Sequence, residues 1–232
     1  MDYFFKSGLN RDFQDIFPDR EEAVHVKALR LRESDRVCVV DGLGLSVICE
    51  INFISKGQIL LKPLEYKQEE EQTIKTGLAL AILDNRDRFE FALEKSIELG
   101  ITDFYPLISK LTQKRTVNPE RLLAKSISAI KQCHRTRLPV IHHPVTIEIL
   151  LDSSYETFIL CDMKGKLPKA SHLEGSTLIF IGPEGGLIVD EIENISSDTR
   201  CRVWKLGENR LRAETAAIIA TGMVNIFHGR NI

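Results

Sequence analysis

The chain has 232 residues, 43% of them apolar, which is material for one large core or for a small and a medium one. A formal net charge of −2 excludes a globally basic nucleic-acid binder, so any contact with a polyanion must be local. The start MDYFFKSGLNRDF is unlike a secretory leader, no apolar run reaches the roughly 18 residues of a membrane span, and five dispersed cysteines form no C-x-x-C pair, so a soluble, cytoplasmic protein with reduced thiols and no metal is expected.

From Arg36 to Leu61, β-rich runs are broken by the turn signals Asp41-Gly42, Gly44 and Lys56-Gly57, which predicts a small β-barrel or sheet. The polar, acidic stretch EYKQEEEQ then separates two patterns and places a domain boundary near residue 72. Beyond it, an apolar run over 77–83, a helix over 88–99 closed by Gly100, and a strand over 103–108 read as βαβ grammar and a mostly parallel sheet. Asn118 as N-cap and Pro119 at the first helical position open a helix running to about His134. Strands are predicted over 157–161, 177–181 and 202–206, with helices near 190–196 and over 214–227.

In TLIFIGPEGGLIVDEI an apolar strand runs directly into Gly182-Pro183-Glu184-Gly185-Gly186. Three glycines around a fixed proline let backbone groups come close to a ligand; a tight strand-to-helix turn is the plain alternative. The stretch lacks the G-K-[ST] ending of a phosphate loop and the G-x-G-x-x-G spacing of a dinucleotide loop. In WKLGENRLRAETAAIIATGMVNIF a second strand ends at Leu206-Gly207, and a polar cluster of Asn209, Arg210, Arg212, Glu214 and Thr215 precedes a helix whose small residues permit close packing.

From Lys110 to Arg137 there are eight Lys and Arg residues against one acid, Glu120. Arg121, Lys125, Ser128 and Gln132 recur at helical spacing and share a polar face that continues toward Arg135, while Leu123, Ile127 and Ile130 are expected to bury. A solvated surface helix is the usual reading of such a run, and contact with nucleic-acid phosphates is the functional one. His25, Lys27, Arg30, Arg32 and Arg36 form a second basic cluster.

Strand-IGPEGG-helix, followed some twenty residues later by LG-x-x-x-LR-x-ETA, resembles the paired cofactor loops of SPOUT methyltransferases. HVKALRLRESD, DRFEFALEKSIELGI and AIKQCHRTRLP narrow the resemblance to the RsmE family of 16S rRNA uridine N3-methyltransferases. Asn209 stands where the family commonly has the first of two arginines, Leu122 where a tryptophan is common, and Ser34 where Gly-Asp is usual. The resemblance implies an α/β protein: a PUA-like β-barrel over 1–72 that helps to place RNA, and a knotted, dimerising SPOUT domain over 73–232 with a mostly parallel sheet.

It implies S-adenosylmethionine as cofactor, held by Leu160, Ile181, Gly182, Pro183, Glu184, Gly185, Gly186, Leu206, Gly207, Leu211, Glu214, Thr215 and Ala216, and a homodimer acting on the small ribosomal subunit. His25, Arg30, Lys114, Arg115, Arg121, Lys125 and Arg135 are expected to meet rRNA. Methylation of N3 requires the uracil anion to be favoured, so Arg212 and Arg210 are the candidates for charge stabilisation. Glu184 is a candidate proton acceptor beside Glu214, although either carboxylate can also cap a helix or hold a loop. Ribose 2′-O-methylation and a non-catalytic assembly factor are the alternatives on the same fold.

Overall fold

The computed structural model describes residues 1–18, 22, 26, 29–55 and 58–229. The chain divides into two compact units, Met1–Glu71 with Ile127–Leu138, and Gln72–Ser126 with Pro139–Ile232.

In the first unit, β1 (Asp2–Phe5), β2 (Arg36–Val40), β3 (Leu45–Ser55) and β4 (Gln58–Gln68) form one sheet in that order. β1 runs parallel to β2, and the other pairs are antiparallel. Along β3, Leu45, Val47, Cys49 and Ile51 are buried in strict alternation, and they meet Phe4, Ile16, Val37, Val39 and Leu61 in one core. The run DYFF, too short for the sequence to declare, becomes β1 by pairing Asp2 with Val37 through Phe5 with Val40. The β2–β3 turn is built by Asp41, whose Oδ1 accepts from the Leu43 and Leu45 amides, with Gly42 and Gly44 at φ +78° and +102°. Ser34 holds φ +73°, a conformation that favours glycine. The turn expected at Lys56-Gly57 and the candidate His25 lie outside the described residues.

Ile127–Leu138 completes this unit through the backbone: the Gly44 amide donates to Thr136 O at 3.1 Å and the Leu138 amide to Gly42 O at 2.9 Å. The Arg137 guanidinium donates to Glu69 O at 2.6 Å, and Lys131 pairs with the buried Glu22 at 2.6 Å.

The second unit contains β5 (Thr76–Ala81), α1 (Arg86–Glu98), β6 (Asp103–Ile108), the start of α2 (Pro119–Cys133), β7 (Val140–Ile141), β8 (Val145–Thr146), α3 (Ile147–Leu151), β9 (Thr157–Lys166), β10 (Thr177–Ile181), α4 (Val189–Ser196), β11 (Cys201–Trp204) and α5 (Ala213–Phe227). Its sheet has the order β11-β9-β10-β5-β6-β7, with β8 also on β6, and every pairing is parallel. A parallel sheet is covered on both faces, which is why TGLALA and TLIFI are apolar without alternation and buried at every position. Among the described residues no helix is long and apolar enough to cross a membrane.

Two expected caps are present. Gly100 follows α1 at φ +98°, and Asn118 Oδ1 accepts from the Arg121 amide at 3.0 Å. Asn85 caps α1 in the same way, accepting from the Arg88 amide at 3.1 Å.

The buried stripe of α2 differs from expectation. Leu122, Ser126, Ala129 and Ile130 bury, while Leu123 stays 47% exposed. The polar face is engaged as well: Arg121 grips Glu90 of α1 with two nitrogens, and Lys125 pairs with Glu94 at 2.8 Å. Glu90 is buried, and the Arg121 guanidinium holds its carboxyl below the usual carboxylate range. That part of the basic run is a helix–helix seam rather than a free cationic surface.

Asn225 of α5 is buried and serves three neighbours: its Oδ1 accepts from the Thr76 hydroxyl at 3.1 Å, and its Nδ2 donates to Leu99 O at 2.6 Å and Thr221 O at 3.2 Å. Asn225→Ala should cost about 1–3 kcal/mol in urea unfolding, because it strands buried partners on β5 and at the end of α1. An unchanged unfolding midpoint would show that water replaces all three bonds.

Candidate active site

Register places the carboxyl ends of four strands side by side: Leu160 of β9 opposite Phe180 of β10 and Val203 of β11, and Ile181 of β10 opposite Leu80 of β5. The segments leaving these ends enclose a cavity of about 550 Å³, at the edge where open α/β sheets bind ligands. Ile181, Gly182, Pro183, Glu184, Gly185, Gly186 and Leu187 form one wall. Leu206, Gly207, Asn209, Arg210, Leu211, Arg212, Ala213, Glu214 and Ala216 form another.

Glycine is used here for two reasons. A Cβ on Gly182 would come within 3.1 Å of Leu187, and Gly186 has φ +81°, so the first loop turns too sharply for side chains. Gly207 has no such constraint. A Cβ there would meet nothing within 4 Å, so its missing side chain leaves cavity space open.

Leu160, Arg88 and Trp204 also line the cavity, as do Cys161, Asp162 and Met163. The last three belong to a bulge: β11 pairs Val203 with Leu160 but Trp204 with Lys166, so residues 161–165 are extra on β9. Asp162 Oδ1 stabilises the bulge by accepting from the Lys164 amide at 2.8 Å. The sequence reading missed this wall, although Gly165 inside a strand pattern is the usual sign of a bulge. It also missed Arg88, whose place after β5 follows once β5 is known to adjoin β10. Thr215, counted among the cofactor residues, is not part of the lining.

The charged groups are arranged unequally. Glu214 faces Arg88 at 3.6 Å, and Glu184 Oε1 accepts from the Asp84 amide at 3.2 Å, so both carboxylates tie loops together. Arg210 donates to Glu184 O at 3.2 Å, joining the two walls. Arg212 is exposed at the N-cap of α5; its carbonyl accepts from the Ala216 amide at 2.9 Å, and among the described residues its guanidinium has no hydrogen bond or ion pair. Glu191 anchors the approach to the first loop by accepting from the Ile188 and Lys110 amides at 3.1 and 2.7 Å.

Of the expected RNA contacts, Lys114 and Arg115 are exposed in the irregular segment before α2, and Lys114 Nζ donates to Asp84 O at 2.5 Å. The same segment carries Leu111, which a Cβ on Gly185 would approach to 3.2 Å, so it runs beside the first cavity loop. Arg30 is exposed in the first unit. Arg135 is only half-exposed, and burial pulls its guanidinium below its usual value. Among the described residues no group of His, Cys, Asp and Glu has the arrangement of a metal site.

Residues 69–225 match a family described as RNA methyltransferase domain, and residues 17–64 one described as RNA methyltransferase PUA domain. A ribosomal RNA small subunit methyltransferase E of Rickettsia conorii is 33% identical over 204 residues, covering 85% of this chain and 83% of that protein. The protein of the same name from Mesomycoplasma hyopneumoniae is 30% identical over 205 residues, covering 84% and 86%. A crystal structure of ribosomal RNA small subunit methyltransferase E from Neisseria gonorrhoeae, bound to S-adenosyl methionine, superposes with a TM-score of 0.85 at 24% identity, covering 97% of each chain, and so shares the SPOUT-like fold with its PUA unit. By family match and by identity over most of its length, the chain belongs to the ribosomal RNA small subunit methyltransferase E family.

Proposed function

We propose that this protein transfers a methyl group from S-adenosylmethionine to N3 of a uridine in 16S rRNA, on the assembled small subunit in the cytoplasm. The observation that carries this reading is the convergence of the IGPEGG and LGENRLR segments on one cavity beside an unpaired arginine. The cavity suits the donor: Leu160, Ile181, Leu206, Leu211 and Ala216 offer apolar surface for a nucleoside, and the loop glycines admit backbone contacts. The bound donor supplies a methyl group already activated on a sulfonium.

The chain's own work is to orient and to stabilise charge. Arg212 directs its guanidinium at the uracil carbonyl oxygens as N3 gains negative charge, and Arg210, tied to Glu184 O, adds positive potential. Glu184 offers its second carboxylate oxygen for the N3 proton, directly or through water. Held by Arg88, Glu214 keeps the start of α5 against the cavity. The donor-binding domain is residues 72–126 with 139–232, and the RNA-placing PUA-like unit is residues 1–71 with 127–138 rather than a single division near residue 72; α5, whose Ile226 is 60% exposed, is the face that pairs two copies.

Incubation with small subunits and labelled donor, followed by mapping of the modified base, tests the reading. Label on 3-methyluridine is expected; label on a ribose or none at all sinks it. Lys114 and Arg115 are assigned to rRNA phosphates, whereas Arg121 and Lys125 are neutralised by Glu90 and Glu94. The double variant Lys114→Ala, Arg115→Ala should lower the salt slope of RNA binding by roughly 1.5, and an identical slope would remove both residues from the interface.

A further inference from the structure

Trp204 is the chain's single tryptophan, lies fully buried at the end of β11 and lines the cavity. An indole N–H can only donate, and Trp204 Nε1 donates to His172 Nδ1 at 2.9 Å. His172 belongs to a single 3₁₀ turn, Ala170–His172, in the link between β9 and β10. The Phe227 ring packs edge-on against the indole with centroids 6.0 Å apart, and Gly165 lies against the Trp204 backbone, where a Cβ would come within 2.6 Å of the carbonyl carbon. His172 is thus the polar partner that fixes the ring's rotation, and it can accept only as a neutral imidazole.

We propose that His172 is a positioning residue: neutral, it holds Trp204 in the cavity wall, and protonated, it releases the ring and weakens donor binding. The charged groups that face it are all cationic, Lys166 of β9, Lys169 before the turn and Arg202 of β11. Burial, followed by these three charges, lowers its proton affinity below the usual 6.5. A depressed value in the folded state means that the interaction is fully present above pH 6.5 and is lost as the pH falls through the lower folded value.

The inference rests on the donor-cavity reading, and two measurements separate them. Fluorescence of the ligand-free full chain reports Trp204 alone, and calorimetry with S-adenosylmethionine reports the cavity. In the wild type, fluorescence should titrate in one step below pH 6.5, and donor affinity should fall on the order of tenfold across that step, the worth of about one hydrogen bond. His172→Asn keeps an acceptor at the same place, so it should retain affinity at about pH 8 and lose both pH steps. His172→Leu, which melts cooperatively if the turn is only a spacer, should show the weakened affinity at all pH values.

Coincident fluorescence profiles for wild type and His172→Asn overturn the inference, as does a flat affinity profile in the wild type. Absence of donor binding by the wild type at about pH 8 would overturn the donor-cavity reading and this inference together. A fluorescence step that persisted would then still locate His172 beside Trp204.

Discussion

Gly207→Val should weaken S-adenosylmethionine binding on the order of 10²-fold while the protein melts within a few degrees of wild type. The backbone at Gly207 is not in the left-handed region and a Cβ meets no protein atom within 4 Å, so the folded chain accepts the side chain. Its methyl groups must then occupy space that the cavity keeps open. Overpacking a fitted site costs about 1–3 kcal/mol, so affinity falls on the order of 10²-fold. Gly186 and Gly185 are poorer probes: the first has φ +81° and would strain any side chain, and the second would push against Leu111. A thermal-shift assay gives the readout, because donor at a hundred times the wild-type Kd stabilises wild type by about 2.7 kcal/mol and should stabilise the variant by only about 0.4 kcal/mol. A normal shift would place the donor elsewhere.

Arg212→Lys should lower single-turnover methyl transfer on the order of 10²- to 10³-fold with donor affinity unchanged. Lysine keeps the charge but loses the planar fork that can serve two acceptors in fixed directions. Since the Arg212 guanidinium has no partner among the described residues, its replacement breaks no ion pair there, and melting should not change. Arg210 is different, because its bond to Glu184 O links the cavity walls, so Arg210→Ala should reduce donor affinity along with rate. Equal rates for wild type and Arg212→Lys would remove Arg212 from the chemistry.

What was legible in the sequence was mostly local. β5 and β10 announce themselves because a strand buried on both faces must be apolar throughout, and the ends of α1 and α2 because Gly100, Asn118 and Pro119 act within one turn. The two cavity loops are legible because close backbone approach demands glycine. The rest depends on partners far along the chain. In α2, Leu122 and Leu123 each begin a stripe at helical spacing, and only the fold shows that Leu122, with Ser126 donating back to Leu122 O, faces inward. Arg121 reads as a phosphate ligand until Glu90, 31 positions away, claims it. The bond from Trp204 to His172 spans 32 positions and leaves no periodic trace.

The return of Ile127–Leu138 to the first unit bears on how the protein is made. Domains emerging from a ribosome commonly fold in order, amino end first. Here the amino-terminal unit lacks its closing piece, which bonds Gly42, Gly44 and Glu69, until Leu138 has been synthesised. At about 5–20 residues per second the nascent sheet waits several seconds for it. During that wait strands of the parallel sheet are already appearing, since β5 and β6 lie between the two pieces in the chain. Translation therefore delivers the two units nearly together, and a chain cut after Glu71 would hold a sheet without its lock.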